Sequence, residues 1–236
     1  AEGIFFYDGV AEKIASLDTQ NKLLLSLPLA NQGIESFHAA IGLEGSELAA
    51  LAEGIVLIVD TEDETVSRQA FSYTPTTAAP FASYNGNLYT FSPDENRIIR
   101  YRRAGAGFTA AQNWLNQDYA LATMRDIAVD GFIYLLDSQG TIHTFLNGRI
   151  ENTIPWAAQE LPGDYTRLYT APASEVLYVL DPAHSRVVVV SKQGKLLIQL
   201  VNPVLANATD LVADQNEENL YTLSGDAIHR LGIPNY

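Results

Sequence analysis

A short pattern recurs six times along the 236 residues, and it constrains the fold more than any other feature of the chain. A run of mostly apolar residues ends in Asp or Ser, a polar turn follows, and a second apolar run begins. The runs are Ile14-Ala15-Ser16-Leu17-Asp18, Val56-Leu57-Ile58-Val59-Asp60, Leu88-Tyr89-Thr90-Phe91-Ser92, Ile133-Tyr134-Leu135-Leu136-Asp137, Leu177-Tyr178-Val179-Leu180-Asp181 and Leu220-Tyr221-Thr222-Leu223-Ser224. Their closing residues stand at 18, 60, 92, 137, 181 and 224, so the spacings are 42, 32, 45, 44 and 43. A period of roughly 40 to 45 residues with several strands per repeat is the pattern of propeller blades. The expected fold is all-β: a six-bladed β-propeller of mostly four-stranded antiparallel blades in a single domain spanning 1–236. The blades fall near 3–42, 47–73, 80–115, 124–154, 165–201 and 207–236.

Local chemistry agrees. In the fourth repeat, Asp126-Ile127-Ala128-Val129-Asp130-Gly131 leads into Phe132 to Asp137, then Ser138-Gln139-Gly140, then Thr141 to Phe145. β-Branched and aromatic residues fill the runs, and Asp-Gly or Ser-Gln-Gly makes the turns. Gly194 to Leu200 supplies a fourth, outer strand in the fifth repeat. The spacing of 32, with the prolines of Thr74-Pro75-Thr76-Thr77-Ala78-Ala79-Pro80, predicts a second blade without a regular outer strand. In the sixth blade, strands are expected near Asp210 to Ala213, Asn219 to Leu223 and Ala227 to Leu231. The remainder, Gly232 to Tyr236, is too short for a fourth. The expectation is that residues upstream of Ala1 complete this blade in a longer natural chain, with a membrane anchor or another domain on that side.

Composition narrows the function classes. The net charge of −14 opposes binding to a phosphate backbone, so no nucleic-acid partner is expected. With no cysteine there is no disulfide, thiolate zinc site or cysteine nucleophile. No apolar run approaches the roughly 18 residues that a membrane span requires. A charged, non-aggregating monomer is the expected state.

The segment Asp126 to Gly140 resembles the repeat of NHL-type six-bladed propellers, and Ala208-Thr209-Asp210-Leu211-Val212-Ala213-Asp214 opens the last blade in the same way. The likeness covers blades four to six closely and blades one to three loosely, and the histidine of the family's namesake tripeptide is missing. The last three blades also resemble propellers that follow a membrane anchor in bacterial proteins with a PPM-type phosphatase-like domain. That second resemblance implies a sensor role and an extracytoplasmic location. Fold alone does not assign function in such families.

In a propeller the first strand of each blade lines the central channel. Aligned on their closing turns, the six first strands put Ile4, Ala49, Phe81, Asp126, Arg167 and Asp210 at equivalent positions near one mouth. The three charged residues come from consecutive blades, with Arg167 between two aspartates. Two readings follow: a salt-bridged plug, or a small polar site where Asp126 and Asp210 hold a cation or an amine and Arg167 holds a carboxylate. Arg125 and Tyr165 lie close enough in sequence to join it. The turns on the same face are acidic, with Asp18, Asp60, Glu62, Asp63, Glu64, Asp94, Glu95, Asp137 and Asp181, and such a ring would attract basic ligands. Arg97, Arg100, Arg102 and Arg103 gather on one strand of blade three, as a solvated strand or a dock for an acidic partner.

Catalytic patterns are weak. His38, His143, His184 and His229 are scattered with no paired-ligand spacing, and there is no Gly-x-Ser-x-Gly elbow. The expected function is a non-enzymatic binding or sensing module for a protein or a small polar ligand, without a cofactor. The alternative is a metal-dependent hydrolase of the gluconolactonase type, with a divalent cation at Asp126 and Asp210. Ile4 stands where that type wants a first-blade ligand.

Overall fold

The computed structural model describes residues 4–8, 11–17, 23–29, 37–52, 54–70, 80–156 and 161–236. Blade one holds β1 (Ile4–Asp8), β2 (Lys13–Leu17) and β3 (Leu23–Pro28). Blade two holds β4 (Phe37–Gly42), β5 (Glu47–Ala52), β6 (Ile55–Asp60) and β7 (Thr65–Ala70). In blade three, β8 (Ala82–Tyr84), β9 (Asn87–Ser92) and β10 (Arg97–Tyr101) are followed by a small hairpin, β11 (Arg103–Ala104) with β12 (Gly107–Phe108). A short β13 (Gln112–Asn113) then closes that sheet on β10. Blade four is β14 (Met124–Val129), β15 (Ile133–Asp137), β16 (Ile142–Leu146) and β17 (Arg149–Ile154). Blade five is β18 (Arg167–Tyr169), β19 (Val176–Asp181), β20 (Arg186–Ser191) and β21 (Leu196–Val201). Blade six is β22 (Ala208–Ala213), β23 (Asn219–Ser224) and β24 (Ala227–Gly232). Each sheet pairs its strands in chain order and antiparallel, giving the six blades of an all-β propeller. Among the described residues, blades one and six are three-stranded.

Turn residues explain the registers. Asn85-Gly86 joins β8 to β9, with φ of 48° and 71°. Asn147-Gly148 joins β16 to β17, with φ of 50° and 81°. Both dipeptides supply the two positive φ values that a tight two-residue hairpin needs, which fixes the pairing of the flanking strands.

The chain's contacts group into two compact units, residues Ala1–Thr90 with Ile99–Asn113, and Phe91–Ile98 with Trp114–Tyr236. Within each unit the apolar core lies between consecutive blades. In the first, Ile14, Leu29, Leu48, Ala50, Leu57 and Val59 pack blade one on blade two. Ala49, Leu51, Val56, Ile58, Leu88, Ile99, Tyr101 and Phe108 then pack blade two on blade three. In the second unit, Tyr134, Leu136, Ile142 and Trp156 of blade four meet Tyr165, Leu177, Val179, Val188 and Val190. The opposite faces of β19 and β20, through Tyr178, Leu180, Val187 and Val189, meet Leu205 of the short 3-10 turn Pro203–Asn207 and Leu211 and Leu220 of blade six. Alternation along each strand thus feeds two interfaces, which is why these strands read as continuous apolar runs.

Blade two corrects the sequence reading. Its inner strand is β4, which the pattern had left in blade one, and Asp60 closes the third strand instead of the second. Ala49 therefore lies on the second strand, fully buried. The true second strand, Glu47-Leu-Ala-Ala-Leu-Ala52, is poor in β-branched residues and escaped notice, although Leu48 to Ala52 are all buried. Small side chains suit a crowded interface, and packing overrides strand propensity there. With the register moved, β7 is a regular outer strand paired with β6 at six positions, against the expectation that blade two lacked one. The prolines at 75 and 80 bracket a segment of which residues 71–79 lie outside the described residues.

Candidate functional site

In blades four, five and six the innermost strands are neighbours: β18 packs beside β14 on one side and β22 on the other. Each carries its charged residue at the same pairing position. Asp126 pairs with Leu136, Arg167 with Leu180 and Asp210 with Leu223, in each case one residue before the end of the second strand. In β14 and β22 a bulge precedes the charge, leaving Arg125 and Thr209 without a partner of their own and re-aiming the next side chain.

The three charges act on one another. Asp126 is 4% exposed and its Oδ2 accepts the Leu168 backbone N–H at 2.6 Å. Burial pushes its carboxyl up to about 7; Arg167 and the backbone N–H groups of Leu168 and Ile127 pull the other way, and Asp210 adds to the rise. Asp210 Oδ1 accepts the N–H of Leu211 at 2.9 Å. Its carboxyl is also raised by desolvation, with Arg167 opposing. Water nonetheless reaches Asp210, which is exposed. Arg167 is half-buried, and its guanidinium donates to the Thr166 carbonyl at 3.3 Å. Among the described residues, no ion pair within 4.0 Å joins Arg167 to either aspartate. Next to it the Thr166 hydroxyl is buried without a hydrogen-bond partner.

The other two candidates are engaged elsewhere. The Arg125 guanidinium pairs with Asp164 and reaches the Tyr165 carbonyl, on a partly exposed surface. The Tyr165 ring stacks edge-on against Trp156 at 5.2 Å, and its hydroxyl donates to the Leu161 carbonyl. That side chain belongs to the interface of blades four and five.

Two networks in this unit escaped the reading of the sequence. Asp137 Oδ1 accepts the N–H groups of Gln139 and Thr141 at 2.8 and 2.9 Å, while Oδ2 meets His143 Nε2 at 2.9 Å. His143 Nδ1 in turn meets the Tyr119 hydroxyl at 2.7 Å. Tyr119 lies in the irregular connection before blade four, 24 residues from His143. The equivalent Asp181 of blade five is fully buried. It accepts Arg186 Nε at 2.8 Å and the Asp164 N–H at 3.1 Å, with His184 Nδ1 at 3.0 Å. An acidic residue at the end of the second strand with a basic residue five or six positions on is the shared signature. Both carboxylates hold turns together, so neither joins an open acidic ring. Asp60 likewise caps its own turn, accepting the N–H groups of Glu62 and Asp63, and these bonds lower its carboxyl. Asp18 lies outside the described residues.

The arginines of blade three are partly matched. Arg103 meets Glu47 at 2.6 Å and lies 5.5 Å over the Phe108 ring, and Arg97 faces Glu95 at 3.6 Å.

No family model matches the chain, and no curated protein matches it in sequence. Solved structures do share its fold. A streptogramin B lyase covers 100% of this chain over 80% of its own length, at 12% identity and a TM-score of 0.61. A functionally unknown protein from Desulfotomaculum acetoxidans matches 99% of this chain over 76% of its own, at 13% identity and 0.62. A chain in the mitotic checkpoint complex covers 99% and 87%, at 10% identity and 0.66. At such identities the likeness concerns the fold: the chain is built as a β-propeller. A lyase and a protein of a multi-protein assembly both use that architecture, so the fold selects neither chemistry.

Proposed function

We propose that this propeller is a binding or sensing module, with Asp126, Arg167 and Asp210 as its ligand contacts. The observation that carries the reading is the set of three charges at one register position on adjacent strands, none paired with another within 4.0 Å. A plug would neutralise its charges by direct contact. Charges held close without contact leave hydrogen-bonding capacity for something else, and the Arg167 guanidinium has most of its donors uncommitted. Arg125 and Tyr165 then serve as supports, through Asp164 and the packing of blade five. An extracytoplasmic sensor in a longer membrane-anchored protein, as the NHL-like and phosphatase-linked resemblances imply, is compatible with a ligand site of this kind.

The hydrolase reading places a divalent cation at Asp126 and Asp210. Two carboxylates with raised proton affinity favour it, and the guanidinium on the strand between them opposes it by direct repulsion. Assays on lactone and ester substrates with added calcium separate the two. No turnover is expected. A calcium-dependent hydrolysis lost in Asp126→Asn would replace the binding reading by the enzyme.

A further inference from the structure

We propose that the ligand of this site is a zwitterion carrying a primary ammonium and a carboxylate beside an aliphatic group, as in a free aliphatic amino acid. The inference rests on the reading of Asp126, Arg167 and Asp210 as ligand contacts, and adds the class of molecule they would take. Three features of the site point to it.

The charges alternate in sign along the row of strands: negative on β14, positive on β18, negative on β22. A simple anion would face two carboxylates, and a simple cation would face the guanidinium. A molecule with both signs satisfies all three residues. The guanidinium offers a planar fork to a carboxylate, with only one of its bonds to protein committed, to the Thr166 carbonyl. An ammonium has three donors in a compact head, suited to two carboxylates whose acceptor lone pairs are met only by the backbone N–H groups of Leu168, Ile127 and Leu211.

The third feature is apolar. Leu223 stands directly opposite Asp210 in the β22–β23 pairing, and Val212, two residues further along β22, shares the same face. Both are exposed, at 37% and 36%. Cross-strand partners and residues two apart project to one side of a sheet, so both flank Asp210 on the face of blade six opposite the one that packs Leu211 and Leu220 on blade five. An aliphatic side chain laid on them beside an ammonium at Asp210 would remove apolar surface from water.

Ammonium binding requires ionised carboxylates. The charged groups that act on Asp126 are Arg167 and Asp210. With its carboxyl at about 7, Asp126 is mostly protonated at pH 6 and mostly ionised at pH 8. Affinity for the ammonium should therefore rise about tenfold over that range, with proton release on binding.

The test uses L-leucine with two analogues that each lack one charge, 3-methylbutylammonium and 4-methylpentanoate, titrated calorimetrically into the whole chain. L-Leucine is expected to bind at least tenfold tighter than either analogue. Arg167→Gln should erase the advantage over 3-methylbutylammonium, and Asp126→Asn should erase the advantage over 4-methylpentanoate. Thermal melts of both variants establish that they fold. If 3-methylbutylammonium binds as tightly as L-leucine and loses affinity in Asp126→Asn, the zwitterion is wrong and the ligand site stands. If none of the three binds to wild type, the zwitterion is refuted, and calcium chloride or other polar probes then decide the site reading separately.

Discussion

Replacing Asp126 by Asn tests the electrostatics of the site through stability alone. Asn keeps the size of the side chain and an oxygen to accept the Leu168 N–H, and removes only the ionisation. In the folded chain Asp126 holds its proton to about 7, whereas the ordinary aspartate value is 3.8. Between those two values the native state binds a proton that the unfolded chain has released, so wild-type stability falls as pH rises through this window and levels off above it. A displacement of about three units at 1.36 kcal/mol each amounts to about 4 kcal/mol lost by pH 8. Asp126→Asn never incurs that loss. Its advantage over wild type should grow by about 2–3 kcal/mol between pH 5 and pH 8, with the other carboxyls largely cancelling in the comparison. Urea titrations at pH 5, 6, 7 and 8 measure it, with the slopes checked for constancy. An advantage that stays flat with pH, or a variant less stable than wild type at pH 8, would refute a desolvated, unpaired Asp126.

Three further substitutions probe the architecture around the site. Asp181→Ala leaves Arg186 buried without its carboxylate and should cost about 3–5 kcal/mol in urea unfolding, unlike an exposed pair. Gly163→Ala places a Cβ 2.5 Å from Asp181 Oδ2 and 2.7 Å from Tyr165 Cζ, so the melting temperature should fall by an amount equivalent to about 1–3 kcal/mol. His143→Ala breaks contacts with both Asp137 and Tyr119; about 1–3 kcal/mol should be lost, and tyrosine fluorescence should report a freed Tyr119 ring.

Blades four to six were readable because their strands alternate large β-branched and aromatic residues and end in Asp or Ser at one repeating place. That regularity also located Asp126, Arg167 and Asp210 without any structure, since position relative to the closing turn fixes position on the inner strand. Blade two was misread for the opposite reason. The Leu-Ala-Ala-Leu-Ala run of β5 carries little strand propensity, and its identity comes from burial against two neighbours that no local window contains. The Tyr119–His143–Asp137 chain was illegible because one member lies in an irregular connection whose path depends on tertiary contacts, such as the Leu121 N–H bound to Asn96. The packing of Tyr165 was equally out of reach of the sequence: two residues along the chain from Arg167, its ring lies against Trp156 in the interface of blades four and five.

The way the apolar clusters sit between blades has a consequence for how such a chain can change over time. Adhesion between blades resides largely in the strand faces, through residues such as Val187 to Val190, whereas the charges at 126, 167 and 210 share one pairing level of the inner strands. Substitutions at Arg167 or Asp210 spare those faces, whereas one at Asp126 also alters a buried hydrogen bond between blades four and five. Under the binding reading, single exchanges at Arg167 and Asp210 change the ligand admitted, while an exchange at Asp126 is judged on folding as well.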